Sequence, residues 1–209
     1  MKHIIQRKYS YIPYPQFMSE PENPRGKKGT IRSGGCGVCS ACMIVDQLTT
    51  EKFSVRECAQ LSFSVGGNHS DGTDMTRLGP ALAEKFNLDY KESYDINEAM
   101  QALRDGGRVI ALVGGIEPGN RGIFTKGGHF IVLIAVDDKD EICILDPNWT
   151  SKTFPKWEKE GLVRTEGTLV YTSPEVLHQE VKKLGDPSYT IFRRKKGESD
   201  NATLSSRAE

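Results

Sequence analysis

A cysteine flanked by glycines opens the stretch SGGCGVCSACMIV, residues 33–45 of the chain. Across residues 37–48 the side chains are apolar on nearly every side, which predicts a helix at the centre of the molecule rather than on its surface. A helix N-terminus carries roughly half a unit of positive charge and free N–H groups, and both stabilise a thiolate. The stretch therefore predicts a reactive thiol at Cys36, unless Cys36 shares a metal with Cys39 and Cys42.

The composition is that of an ordinary folded chain and argues against several classes of protein. Of the 209 residues, 37% are hydrophobic and 27% are charged, which is enough to bury a core without disulfides or metals. The formal net charge is zero and the one concentrated basic run is Arg193–Lys196, so we expect no nucleic-acid partner. No apolar stretch reaches the ~20 residues that span a bilayer, and Met1–Ile4 opens no signal peptide, so we expect a cytoplasmic protein without a membrane span. The five cysteines are an odd number, which argues against a disulfide framework.

Helical signals fill the first half of the chain and strand signals fill the second, which predicts an α+β architecture. His129–Val136 is apolar on both faces, so we expect a central strand that is covered on both sides. The predicted helices are residues 37–48, a helix after the Ser54–Glu57 capping box, residues 74–86, a helix after an Asp95 cap, and a helix from Ser173 to Gly185. The other predicted strands are Arg108–Val113, Glu141–Asp146 and Ser188–Arg194.

We expect one domain with an arm before it and a tail after it. Residues 1–28 are rich in proline and charge and predict an extended N-terminal arm. Residues 29–196 contain no convincing linker and are predicted to form a single domain. Residues 197–209 lack apolar periodicity, which predicts a disordered tail.

A reactive thiol needs a base, and His129 is the best placed of the four histidines. It begins the buried strand directly after Gly127 and Gly128, so backbone crowding is low and its side chain can face an open cleft. If the turn at Asp137–Asp140 has two residues, Asp146 returns on the same face of the hairpin, directly or diagonally opposite His129. A carboxylate there would fix the imidazole tautomer and stabilise its protonated form. A three-residue turn would put the two side chains on opposite faces.

Three short motifs give these residues a family resemblance. They are GCG at residues 35–37 followed by ACMI at 41–44, GHFIVL at 128–133, and LDPN at 145–148. In order and spacing, from about Pro13 to Asn148, they resemble the bacteriocin-processing peptidases that cut double-glycine leaders, which are papain-like cysteine peptidases. The resemblance implies a papain-like fold, with the nucleophile at the start of a central helix packed on an antiparallel sheet.

Carried over by position, the resemblance implies Cys36 as nucleophile, His129 as base and Asp146 as the group that orients His129. A more distant papain signature would make Cys39 the nucleophile, but the spacing of the residues downstream favours Cys36. In the longer-armed relatives, a glutamine that donates to the oxyanion follows a proline-aromatic stretch, and here that glutamine is Gln16.

The glycine-rich segment before His129 is expected to form a rim of the cleft. Gly127 and Gly128 belong to this rim, and Phe124 and Trp149 are candidate substrate contacts that core packing explains equally well.

The function predicted is hydrolysis of a peptide or other amide bond through a thioester on Cys36, with no cofactor and no metal. Acyl transfer to an amine would use the same residues, and sequence does not separate the two. A second alternative is an iron–sulfur or zinc site on Cys36, Cys39 and Cys42, with Cys58 or His69 as fourth ligand. A third is a binding module that has lost catalysis.

Overall fold

The computed structural model describes residues 1–15, 29–69, 72–115, 119–183 and 185–195. After a 3-10 turn at Gln6–Lys8, its helices are α1 (Ile31–Gly34), α2 (Cys36–Leu48), α3 (Val55–Ser64), α4 (Met75–Lys85), α5 (Ile96–Arg104), α6 (Pro155–Lys159) and α7 (Pro174–Glu180). Its strands are β1 (Asn68–His69), β2 (Gly72–Thr73), β3 (Leu88–Ser93), β4 (Arg108–Val113), β5 (His129–Val136), β6 (Ile142–Leu145), β7 (Arg164–Glu166), β8 (Leu169–Thr172) and β9 (Tyr189–Arg194). The predicted α+β class, with helices first and a sheet after them, is confirmed. Of the predicted arm the structure describes residues 1–15, and the predicted tail, 197–209, lies outside the described residues.

Helix α2 is the central helix that its sequence predicts. Every residue from Gly37 to Val45 is buried, and the helix packs against β5. Ser40 is the polar exception within this run, and its hydroxyl donates to the Phe130 carbonyl at 3.4 Å. Because a buried hydroxyl needs a partner, this contact explains how a serine is tolerated between the helix and the sheet.

The larger sheet has the strand order β3-β9-β4-β5-β6-β8-β7, and each neighbouring pair is antiparallel. Strand β5 lies in its middle and is buried on both faces, as predicted. Phe130 and Val132 belong to the core shared with α2, whereas Ile131 and Leu133 belong to a second core on the opposite face, which α5 and α7 cover.

Local capping signals determine where two of the predicted helices begin. The Ser54 hydroxyl accepts from the Glu57 N–H at 3.2 Å, and the Glu57 carboxylate accepts from the Ser54 N–H at 2.8 Å. The Asp95 carboxylate accepts from the Asn97 N–H at 2.8 Å at the start of α5. Both caps satisfy backbone donors that a helix leaves free in its first turn.

The helix predicted from Ser173 to Gly185 is shorter than expected. It ends at Glu180, because Val181 adopts an extended conformation and forms a bridge with Val113 at the end of β4. Residues 180–182 therefore extend the sheet beside β4.

The hairpin between β5 and β6 differs from its prediction in the turn. The Asp137 N–H donates to the Glu141 carbonyl at 2.9 Å, so the turn encloses three residues, and Asp140 takes a positive φ of 63°. Such a turn would place His129 and Asp146 on opposite faces. A β-bulge between Leu133 and Ala135 shifts the pairing by one residue and restores the predicted relation. The two-residue turn is wrong, and the bulge compensates for it.

Candidate active site

Cys36 is the first residue of α2, and close packing of the backbone holds it there. Side chains on the two glycines beside it would collide with neighbours: a Cβ on Gly35 would lie 2.7 Å from the Ile31 Cα, and one on Gly37 would lie 2.6 Å from the Thr73 Cβ. A side chain at either position would therefore force a neighbouring group to move. As the first helical residue, Cys36 lies at the positive end of α2, and its backbone N–H has no partner within the helix.

His129 and Asp146 form a buried pair where β5 begins and β6 has just ended. The His129 Nε2 lies 2.7 Å from the Asp146 Oδ1, and the two residues are 5% and 0% exposed. The same Asp146 oxygen accepts from the Asn148 N–H at 2.7 Å, which fixes the carboxylate in place. Because Nε2 faces Asp146, Nδ1 is the ring nitrogen left for Cys36.

Cys36 and His129 each stabilise the charged form of the other. Burial raises the pKa of the Cys36 thiol, but a hydrogen bond and positive charge from His129, with backbone bonds from Phe130 and Gly37, lower this pKa below its ordinary value. Burial also lowers the pKa of His129, but the charge and hydrogen bond of Asp146, helped by Cys36, raise it to about 10. The arrangement therefore favours a thiolate beside an imidazolium at neutral pH.

An N-terminal segment closes the back of this site, and sequence reasoning did not predict it. His3 Nε2 lies 2.8 Å from the Asp146 carbonyl oxygen, and the Gln6 N–H donates to the Pro147 carbonyl at 2.8 Å. Burial lowers the pKa of His3, so its neutral form donates through Nε2. No local pattern in residues 1–8 indicates this contact, because the partners are about 140 residues away.

A cleft of about 220 Å³ opens over Cys36. Its helical-side wall is formed by the β1–β2 hairpin and the residue after it: His69, Gly72, Thr73 and Asp74. Its sheet-side wall is formed by Leu112, Gly128, Phe130, Lys182 and Asp186. The thiol at the floor can therefore be reached by a substrate from solvent.

The predicted rim residues divide between cleft and core. Gly128 lines the cleft. Phe124 is 3% exposed and packs edge-on against Phe154, with ring centroids 5.9 Å apart, and Trp149 packs partly buried against the same core. Gly127 is exposed beside Gly128. Gln16, the predicted oxyanion donor, lies outside the described residues.

Cys39 and Cys42 are buried in the core on α2, and burial raises the pKa of both thiols. Within the described ranges, no group of three or more His, Cys, Asp or Glu side chains is arranged to hold a metal ion. Nothing in the arrangement of these cysteines favours the iron–sulfur or zinc alternative.

No helix in the described part of the chain is long and apolar enough to cross a membrane.

The chain is similar to one protein family and to two solved structures. Residues 9–167 match the family described as the Peptidase_C39 like family. The chain is 16% identical to the crystal structure of a C39-like peptidase from Bacillus anthracis, with 95% of this chain and 100% of that chain covered and a TM-score of 0.50. It is also 13% identical to the peptidase domain of Streptococcus ComA, a bifunctional ABC transporter involved in a quorum-sensing pathway, with 77% and 91% covered and a TM-score of 0.47. No curated protein matches the chain.

Proposed function

The chain belongs to the Peptidase_C39 like family of cysteine peptidases, and we propose that it hydrolyses a peptide or other amide bond with Cys36, His129 and Asp146 as catalytic triad. The observation that carries this proposal is the continuous chain of contacts from the Cys36 thiol to His129 and on to Asp146, 2.7 Å from the imidazole. It begins at a helix N-terminus and opens onto a cleft. Thiol, base and orienting carboxylate are the three parts that nucleophilic catalysis by cysteine requires.

The first half of the reaction transfers the acyl group to the enzyme. The Cys36 thiolate attacks the amide carbon, a C–S bond forms, and the carbonyl π electrons move to oxygen. When the tetrahedral intermediate collapses, the C–N bond breaks and His129 gives its proton to the leaving amine. A thioester on Cys36 and a neutral His129 remain.

The second half returns the enzyme to its starting state. His129 removes a proton from water, the oxygen attacks the thioester carbon, and the C–S bond breaks with its electrons returning to sulfur. The carboxylic acid leaves, and the thiolate and imidazolium are restored. Asp146 keeps the ring oriented through both halves and stabilises its charged form.

Two donors are proposed for the oxyanion of each tetrahedral intermediate. One is the backbone N–H of Cys36, which has no partner within α2 because it lies in the first turn of that helix. The other is the side-chain amide of Gln16. Removing one oxyanion donor slows catalysis by about 10²–10³-fold, so we expect Gln16→Ala to lower kcat to this extent while leaving alkylation of Cys36 unchanged. Equal kcat values for Gln16→Ala and the wild type would remove Gln16 from the mechanism.

Cleavage of a peptide library tests the proposed activity. New peptide termini are identified by mass spectrometry after incubation with the wild type, Cys36→Ala or Cys143→Ala, a buried cysteine of β6 that serves as matched control. We expect cleavage by the wild type and Cys143→Ala, none by Cys36→Ala, and an acyl adduct on Cys36 in acid-quenched samples. Cleavage that persists in Cys36→Ala would refute the proposal. Adding a small amine separates the alternatives, because acyl transfer gives amide-ended products and hydrolysis gives carboxylates.

A further inference from the structure

Glu180 is a buried carboxylate that the proposed mechanism does not use. Among the described residues, the buried acidic side chains are Asp146 and Glu180, which is 1% exposed. Burying a carboxylate is costly unless hydrogen bonds replace the lost water. We therefore expect the Glu180 carboxylate, at the end of α7, to accept hydrogen bonds from buried donors.

Those partners belong to the loop that leads into His129. One carboxylate oxygen of Glu180 accepts from the Arg121 N–H at 2.6 Å, and the other accepts from the Ile123 N–H at 2.8 Å. The Asn120 side chain also donates to the Glu180 carbonyl at 3.3 Å. Hydrogen bonds to an ionised acceptor are about twice as strong as neutral ones. The Glu180 carboxylate therefore holds the loop at two points, Arg121 and Ile123, and the Glu180 backbone carbonyl holds it at a third, Asn120.

A second backbone contact, at Lys126, fixes the same loop just before it reaches the cleft. A Cβ on Gly115 would lie 2.2 Å from the Lys126 carbonyl oxygen, so the backbones at the end of β4 and at Lys126 are in direct contact. Only Gly127 and Gly128 then separate this contact from His129. Neither glycine has an atom within 4 Å of where its Cβ would be, and the Gly127 N–H donates to the Thr125 hydroxyl at 3.1 Å. His129 itself pairs with Val113 of β4, so the anchored loop is the support on its N-terminal side.

We propose that Glu180 is a positioning residue, whose carboxylate anchors the rim loop, residues 119–128, so that His129 is aligned between Cys36 and Asp146. This inference rests on the proposed role of His129 as the base. Glu180 does not touch the reacting atoms and acts only through the loop. Val181 forms a bridge with Val113 at the end of β4, and Lys182 lines the cleft, so the end of α7 contacts both a cleft wall and the loop that leads into His129.

Glu180→Gln tests the proposal, since the amide is nearly isosteric but turns one acceptor oxygen into a donor that faces a backbone N–H. The control is Glu175→Gln, an exposed acid in the first turn of the same helix. Amide hydrogen exchange at Arg121 and Ile123 reports the anchor, and NMR titration of the His129 ring reports its alignment. We expect exchange at both amides to accelerate about tenfold, and the pKa of His129 to fall from about 10 toward its ordinary value. Glu175→Gln should match the wild type in both.

The proposal is overturned if Glu180→Gln exchanges faster at the loop amides while His129 titrates as in the wild type, because Glu180 is then a stabilising residue only. It is also overturned if the amides remain protected. Should Glu180→Gln not fold, Glu180→Asp keeps the charge and shortens the side chain by one methylene, and the same readouts apply. Failure of the proposed function looks different: the peptide library stays uncut, while the His129 titration still separates Glu180→Gln from Glu175→Gln.

Discussion

At the scale of single residues, the charge on Asp146 determines the chemistry of the site. Burial alone would favour a neutral thiol and a neutral imidazole, because a low-dielectric environment disfavours both charged forms. The Asp146 carboxylate overcomes this effect of burial and raises the pKa of His129. The Asp146 Oδ2 is buried without a hydrogen-bond partner in the described part of the chain. The positive charge of the His129 imidazolium therefore offsets most of the cost of burying the Asp146 carboxylate. The same imidazolium stabilises the Cys36 thiolate.

Asp146→Asn should uncouple the site without removing the contact. The amide can still bond to His129, but it carries no charge, so burial again lowers the pKa of His129. A fall of about one unit corresponds to about 1.4 kcal/mol, and we expect the rate of Cys36 alkylation at pH 6 to fall about tenfold or more. Asp138→Asn, at an exposed position in the turn of the same hairpin, should alkylate like the wild type. Equal rates for Asp146→Asn and the wild type would contradict this assignment.

Gly37→Ala should disturb the hairpin that walls the cleft. The new Cβ would meet the Thr73 Cβ at 2.6 Å, and Thr73 is itself held by the Tyr14 hydroxyl at 2.7 Å. Overpacking of this kind costs about 1–3 kcal/mol, which thermal denaturation will detect. Gly127→Ala is the matched control, because nothing lies within 4 Å of its added Cβ. A Tm for Gly37→Ala equal to that of the control would show that the hairpin moves aside freely.

At the scale of elements, the sequence predicted the helices and strands that have a local apolar pattern or a cap. It missed strands that form only by pairing with distant parts of the chain. Helix α2 and strand β5 follow from apolar patterns, and the starts of α3 and α5 follow from their caps. Strand β3 was missed because it has exposed charges and lies at the edge of the described sheet, where it pairs with β9. The short strands β7 and β8 were missed for a similar reason: each is held by pairing with a neighbouring strand. The five-residue helix α6 was also missed.

The β5–β6 hairpin shows how a site can be predicted for an incomplete reason. The sequence placed His129 and Asp146 together on the assumption of a two-residue turn. The chain instead uses a three-residue turn and corrects the register with a bulge at Leu133–Ala135. An apolar run such as FIVLIAV carries no mark of where its extra residue lies, because either register buries similar side chains.

Ser54→Ala tests the capping box of α3. The variant loses the acceptor for the Glu57 N–H and one partner of the Glu57 carboxylate, so we expect a loss of about 1 kcal/mol in the free energy of unfolding. The hydrogen bonds from Ser54 lower the pKa of Glu57, so its stabilising contribution is present at neutral pH and is lost as the pH falls through that lowered value. Ser64→Ala, exposed at the other end of α3, is the control for urea denaturation. A loss as large in the control would refute the cap.

At the scale of the whole molecule, the site is assembled from distant parts of the chain. The thiol comes from the helical half, the imidazole and carboxylate come from the sheet, and His3 closes the back through its contact with the Asp146 carbonyl. Motif spacing identified the first three, since each lies at the start or end of a predicted element. His3 could not be identified in this way, because its partner is set only by the folded chain.

The proton balance of the site predicts a flat-topped dependence of stability on pH. His129 has a raised pKa, so its contribution is complete below about 6.5 and is lost as the pH rises toward about 10. Cys36 has a lowered pKa, so its contribution is complete above about 9.0 and is lost as the pH falls. As the pH rises through the neutral range, the loss of the His129 contribution opposes the gain of the Cys36 contribution.

The measurement is the difference in free energy of unfolding between the wild type and the double variant Cys36→Ala/His129→Gln, followed from pH 5 to pH 10. We expect the difference to change least near neutral pH, where the two contributions oppose each other, and to decline toward pH 5 and toward pH 10. A difference that changes in one direction across the whole range would show that the two groups do not exchange a proton in the folded state.

The pH dependence of Cys36 alkylation by iodoacetamide tests the central claim most directly. Mass spectrometry assigns the label to each cysteine, so the buried thiols serve as internal controls. The thiolate–imidazolium pair predicts that wild-type Cys36 reacts rapidly at pH 6, where an ordinary thiol with a pKa of about 8.5 is almost fully protonated, and that His129→Ala moves the rise in rate to alkaline pH. A wild-type profile that rises only near pH 8.5 and overlays that of His129→Ala would contradict it.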